Sequence, residues 1–292
     1  MHHKSNVSVA LMYAKLSSFF FALFLPLTQF PLSKKYLRHA ILFSHQIPVQ
    51  KYLYIIIHGT FASKALWYKP GGDFYETLKK NIPYHSTLVP FVWSGENNHA
   101  ARVQAAHRLI HLIKQHPNHD YHLIGHSHGG TIACLASTIL AQEKSTITLT
   151  ELIILGMPIH ESWAQPAMTH ITMLYNVFSY GDLIQPYGNA CSRIFATYHK
   201  KICNIQCTID HFYPNHSQLH MPIIAAHIPR YKKYFPKRAN YHLHLKKDGT
   251  CIITLDKQRE KDLEQDKYAI ASLLSSFAES RFASSPNNNE YL

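Results

Sequence analysis

From Tyr52 onward the chain alternates short apolar runs with helix-like segments, and this alternation narrows the fold more than any single motif does. Residues 52–57 form a β-branched and aromatic run that ends at His58-Gly59, and residues 86–93 a second that ends at Ser94-Gly95. Residues 121–125, 146–156 and 171–178 continue the series, and 204–210 is a weaker sixth candidate. Between the second and third runs, Ala101, Ala105, Leu109 and Leu112 recur with helical spacing through 100–114, until Pro117 stops the pattern. A small-residue helix over 130–142 stands directly behind the third run. Strands alternating with helices build βαβ units, so an α/β fold with a mainly parallel, doubly wound sheet is expected.

The segments outside this series read differently. Residues 16–27 are uncharged and apolar, preceded by Lys4 and Lys15 and followed by Lys34, Lys35 and Arg38. The length suits a secretory h-region, yet no small-residue cleavage site follows. A full span needs about 20 apolar residues, and Pro26, Gln29 and Pro31 interrupt this one. Beyond the sheet series, residues 241–245 and 250–255 flank Asp248-Gly249, which predicts a hairpin with a two-residue turn. Residues 258–282 read as a polar amphipathic helix and 284–292 as a frayed tail. The expected organisation is a 1–50 apolar and basic segment (an anchor or a signal), a 51–238 sheet domain, and a 239–292 hairpin, helix and tail.

Composition excludes little but adds direction. At 46% hydrophobic residues the 292-residue chain can bury a sizeable core. Its net charge of +12 favours anionic partners, a phospholipid surface or nucleic acid. No nucleic-acid recognition motif is present, so specific nucleic-acid binding is not expected. Residues 231–238 interleave Tyr, Phe, Lys and Arg, a composition that suits a headgroup layer or an exposed loop. With the apolar N-terminal segment, this favours an anionic membrane surface, and a membrane-associated or exported protein over a cytoplasmic one. None of the five Cys forms a CxxC pair, and His107 and His111, though four apart on a helix, lack a third ligand fixed by motif. No metal or organic cofactor is implied.

The sequence Gly125-His126-Ser127-His128-Gly129-Gly130 matches G-x-S-x-G between a predicted strand and a predicted helix. A nucleophilic serine in that pattern sits on a sharp, strained turn, and small residues two positions either side let strand and helix approach. The helix N-terminus then points at the serine, where its partial positive charge favours a developing oxyanion, with the His128 amide as one donor. His58-Gly59-Thr60 follows the first strand, and the loop there supplies a second donor in such an architecture, through Thr60 or Phe61.

An acid and then a histidine should follow in the chain. Asp182 lies just past the fifth apolar run, with Asp210 as a competitor. His216 and His220 share one loop, and His211 is a third candidate base. His58, Gly59, His126 and Trp93 are candidate substrate-binding positions. Ser94, Asn98, His99 and Arg102 fall where catalytic loops gather, and packing or capping roles suit them equally.

These blocks together resemble a group of bacterial α/β-hydrolases, lipase- and esterase-like proteins. The resemblance spans residues 52–229 and rests on His58-Gly59-Thr60, the block 67–74, the block 91–102, the elbow, Asp182, and His216-x-x-Leu219-His220. It implies an α/β-hydrolase fold, a Ser127–His216–Asp182 triad, and a small-molecule or lipid ester as substrate. Amide or thioester hydrolysis, or a catalytically weak membrane-associated binding role on the same scaffold, are the alternatives. Related loops place Gly before the histidine where Asn215 stands here, so His216 and His220 both remain open as the base.

Overall fold

A computed structural model describes residues 51–160, 165–187, 192–195, 199–235 and 240–256. The apolar segment 16–27, the predicted helix 258–282 and the tail 284–292 lie outside the described residues. Among the described residues no helix is long and apolar enough to cross a membrane.

The apolar runs become strands of one sheet. In chain order these are β1 (Lys51–Ile57), β2 (Ser86–Phe91), β3 (His119–His126), β4 (Leu149–Leu155), β5 (Ile171–Phe178), β6 (Ile202–Ile209), β7 (Asn240–Leu245) and β8 (Cys251–Leu255). The spatial order is β2-β1-β3-β4-β5-β6-β7-β8, parallel throughout except for the β7–β8 hairpin. The sheet is mainly parallel, as the alternation of strands and helices predicts. Pro90 sits on β2, the edge strand, where a residue without an amide donor is tolerated.

Helices cover both faces. α1 (Asp73–Asn81) lies on one, together with α5 (Pro222–His227) and α6 (Tyr231–Tyr234). α2 (His99–Lys114) and α3 (His128–Gln142) lie on the other. A short α4 (Ile184–Tyr187) follows β5. Successive residues of β1 divide between the two layers: Leu53, Ile55 and Ile57 pack under α2 and α3, while Tyr54 and Ile56 pack under α1. Full burial of each such aliphatic side chain contributes about 1.5–3 kcal/mol. The chain leaves β1 toward β2 and returns to β3 on the other side of β1. That reversal opens a crevice at the carboxyl ends of β1 and β3, where open α/β sheets bind ligands.

One expected strand is firmer than its sequence signal, and two expectations need correction. The weak candidate 204–210 is β6, buried along all eight residues. Its polar side chains obscured it in sequence; in the sheet Asn204 takes a hydrogen bond from Asn176 (2.9 Å) and gives one to Asn240 (3.3 Å), its register partners on β5 and β7. The hairpin turn is longer than two residues. Lys246 N–H donates to Thr250, Gly249 N–H donates to Lys246, and Gly249 takes φ +88, a turn closed by a left-handed glycine. In the basic and aromatic run, Tyr231 and Phe235 point into the core while Lys232 and Lys233 stay exposed; residues 236–239 lie outside the described residues.

The elbow between β3 and α3 shows how tightly strand and helix approach. A methyl on Gly129 would overlap the Ile57 carbonyl of β1, and one on Gly125 would lie 2.5 Å from the Gly130 nitrogen. Gly129→Ala should therefore lower stability by about 1–3 kcal/mol, the cost of overpacking. The readout is a lower urea midpoint at unchanged slope; an unchanged midpoint would contradict this packing.

Candidate active site

Ser127 joins β3 to α3 with φ 53° and ψ −131°, a conformation that L side chains rarely adopt. Its amide donates to the Leu155 carbonyl at the end of β4 (2.9 Å), and its own carbonyl accepts from Gly130 (2.9 Å). The backbone is thus held by two elements at once. A Cβ on Gly59 would stand 2.8 Å from the Ser127 Cβ and 3.4 Å from its Oγ, so the loop after β1 lies directly against the serine. Only 8% of Ser127 is exposed. The first amides of α3, His128 among them, have no carbonyl one turn back to bond to.

The loop after β1 is tied down by His58, which is fully buried. Its Nδ1–H donates to the Gly59 carbonyl (2.8 Å) and its Nε2 accepts the Trp93 amide (3.2 Å), an arrangement that requires the neutral ring. Burial lowers its pKa accordingly. Trp93 closes the pair: its indole N–H donates to the His58 carbonyl (2.8 Å) and the two rings stack at 5.5 Å. With 2% exposure Trp93 supports the loop from within and does not line an open cleft. Phe61 also departs from expectation. Its amide donates to the Gly95 carbonyl (2.8 Å) and so is not free for an oxyanion, which leaves Thr60 as the candidate donor of this loop. The Thr60 hydroxyl is buried, with no hydrogen-bond partner.

Asp182 follows β5 and is completely buried. Its Oδ2 accepts His216 Nδ1–H at 2.7 Å, and its Oδ1 accepts the amides of Ile184 (3.0 Å) and Gln185 (3.1 Å). Arg193 donates to the Asp182 carbonyl (3.0 Å). Gly156, at φ +62, packs against this junction: a Cβ there would lie 2.8 Å from Asp182 Oδ2 and 3.4 Å from His216 Nδ1. Since Leu155 holds the Ser127 amide, two consecutive residues at the end of β4 touch the serine and the Asp182–His216 pair.

The competing candidates lie elsewhere. Asp210 faces Lys247, accepting its amide (3.0 Å) and standing 3.6 Å from its Nζ. His211 is exposed. His220 stacks flat on Trp67 (4.3 Å, 10°) and meets His126 edge-on (4.8 Å). His126 is a wall of the site, with 6% exposure. Arg102 is buried and donates to Asn97, and its charge reaches His128. His107 and His111 are exposed, and no group of three or more metal-ligating side chains occurs among the described residues. Cys134, Cys207 and Cys251 are free thiols, and Cys191 lies outside the described residues. Sequence reasoning passed over Gly156, Arg193 and the Trp67–His220 stack. For Gly156 the available signal was a glycine ending an apolar run; the stack had none, because its partners are far apart in the chain.

Residues 54–186 match the family model described as lipase (class 3). The match covers just under half of the chain. No curated protein matches it. Among solved structures the chain is similar to a cutinase-like protein from Cryptococcus sp., at 17% identity over 44% of this chain and a TM-score of 0.25. It spans about half of that protein (52%). The thioesterase of the prodiginine biosynthetic pathway in Streptomyces coelicolor is 14% identical over 68% of this chain and 81% of its own, with a TM-score of 0.33. Est1E from Butyrivibrio proteoclasticus is 12% identical over 79% and 89%, with a TM-score of 0.34.

Burial is the first cause that brings the pKa of His128 and of His220 down to about 4. For His128 the Arg102 charge adds to it, and His216 depresses both. In the unfolded chain both rings titrate near 6.5. Between about pH 6.5 and 4 the unfolded state thus binds protons that the folded state does not, and stability falls as pH is lowered through that window. Urea midpoints at pH 7, 5.5 and 4.5 should decline. His220→Phe, which keeps the stack on Trp67 but cannot protonate, should decline less steeply; identical slopes would contradict the assignment.

Proposed function

We propose that this hydrolase cleaves carboxylic esters through an acyl-enzyme, with Ser127 as nucleophile, His216 as base and Asp182 as the orienting acid. The observation that carries the reading is the strained serine at the head of α3, with the buried Asp182–His216 hydrogen bond reaching the same end of β4. With Nδ1–H committed to Asp182, the unprotonated nitrogen of His216 is Nε2, the one able to take the Ser127 proton. Attack on the acyl carbonyl then forms a tetrahedral oxyanion, held by the amides of His128 and Thr60 and by the positive end of α3. His216 returns the proton to the leaving alcohol, and water repeats the sequence to release the acid. Asp182 accepts from the ring and from two backbone amides, so it stabilises the imidazolium without needing to be protonated.

The surroundings favour an apolar acyl group over a small polar one. Phe61 follows Thr60, and Leu183 and Ile184 follow Asp182; all three expose most of their side chains beside the proposed catalytic positions. A carboxylic ester of a lipid, or a small apolar ester, is the substrate class that fits this rim.

Turnover of p-nitrophenyl butyrate separates the candidates. Ser127→Ala and His216→Ala should each lower kcat by roughly 10⁴–10⁶-fold, as for a group of residues acting as a unit. His220→Ala should retain far more activity. A His220→Ala loss as deep as that of His216→Ala would overturn the assignment of the base.

A further inference from the structure

His126 precedes Ser127, and its ring packs against other side chains of the site. The ring lies between Trp67 (5.6 Å, edge-on), His220 (4.8 Å, edge-on) and His216 (4.6 Å, tilted). Its Nε2–H donates to the backbone carbonyl of His216 at 2.9 Å, across 90 residues of sequence. A carbonyl can only accept, so Nε2 carries a proton. Burial and the two neighbouring imidazoles push the pKa of the ring down, which favours its neutral form.

We propose that His126 is a positioning residue that fixes the base to the nucleophile strand. His216 stands at the start of the short turn Ser217–His220, a segment held between two longer elements. Its side chain is anchored at one end, by Asp182 through Nδ1. The hydrogen bond from His126 anchors the backbone at the other end, and it does so from the residue joined to Ser127 by a peptide bond. The base and the nucleophile are thereby referenced to one rigid strand end, so any shift of β3 carries both together. Trp67 and His220 both pack edge-on against the His126 ring and restrict its rotation. Breaking this contact would leave the His216 carbonyl only the longer bond from the Leu219 amide (3.4 Å), and would let the His216 loop relax away from the serine. Displacements of about 1 Å in such an arrangement can lower rates about 100-fold.

The inference rests on Ser127 and His216 acting as proposed above. It is tested on the full chain with His126→Phe, which keeps a ring and removes the donor, and His126→Gln, which restores an N–H at similar reach. His126→Phe should lower kcat for p-nitrophenyl butyrate about 10–100-fold, with KM within about twofold of wild type. The acid limb of its kcat/KM profile should move to lower pH, because a looser His216–Asp182 contact stabilises the imidazolium less. His216, His220 and, behind His216, Asp182 and His128 are the titratable groups on that side. His126→Gln should recover both kcat and the acid limb. Equal losses in the two variants, a loss confined to KM, or an unshifted limb in His126→Phe would overturn the positioning role. If His126→Phe fails to unfold cooperatively, His126→Gln decides alone: wild-type kcat supports the role and a depressed kcat refutes it. An active wild type with an unaffected His126→Phe sinks this inference only. A wild type with neither turnover nor fluorophosphonate labelling sinks the catalytic reading, and this inference with it.

Discussion

A serine backbone at φ 53° is costly on its own, and most of the surrounding structure can be understood as what makes it tenable. Three glycines stand where any Cβ would strike backbone or Ser127 itself: Gly59, Gly125 and Gly129. Their absent side chains let β1, β3 and α3 converge on one point. The Leu155 carbonyl takes the serine amide, so β4 shares in holding the turn. The reversal of strand order at β1 places this convergence at the open end of the sheet. Strain of this kind persists only when neighbouring elements over-determine it, and here they come from four directions.

The second constraint is electrostatic. Five histidines crowd the site (His58, His126, His128, His216 and His220), and a cluster of imidazolium rings there would be untenable. Burial keeps four of them deprotonated toward acid pH. Of the five, His216 alone has a carboxylate partner, which gives it alone a buried counter-charge. The geometry therefore sets one ring apart, among several of the same chemical type, by its carboxylate partner.

Much of the fold was legible in the sequence because parallel strands buried on both faces read as continuous apolar runs, as in residues 52–57 and 171–178. β6 was nearly missed for the opposite reason: Asn204, Gln206 and Thr208 break its run, and only in the sheet do Asn204 and Thr208 meet their partners on neighbouring strands. At the site, the G-x-S-x-G spacing carries its own steric reason and was readable in advance. The choice between His216 and His220 was not, since both lie four residues apart in one loop. What separates them is that one meets Asp182 and the other a tryptophan. Phe61 and Trp93 looked like site residues by position, yet an amide already bonded to Gly95 and an indole turned inward are facts of three dimensions.

The central claim is that the strained residue at the head of α3 is the nucleophile. Its most direct test is mass spectrometry of the full-length protein after reaction with a fluorophosphonate, followed by peptide mapping. A single adduct on Ser127 is expected. An adduct on any other residue, or none on a folded protein, would contradict it.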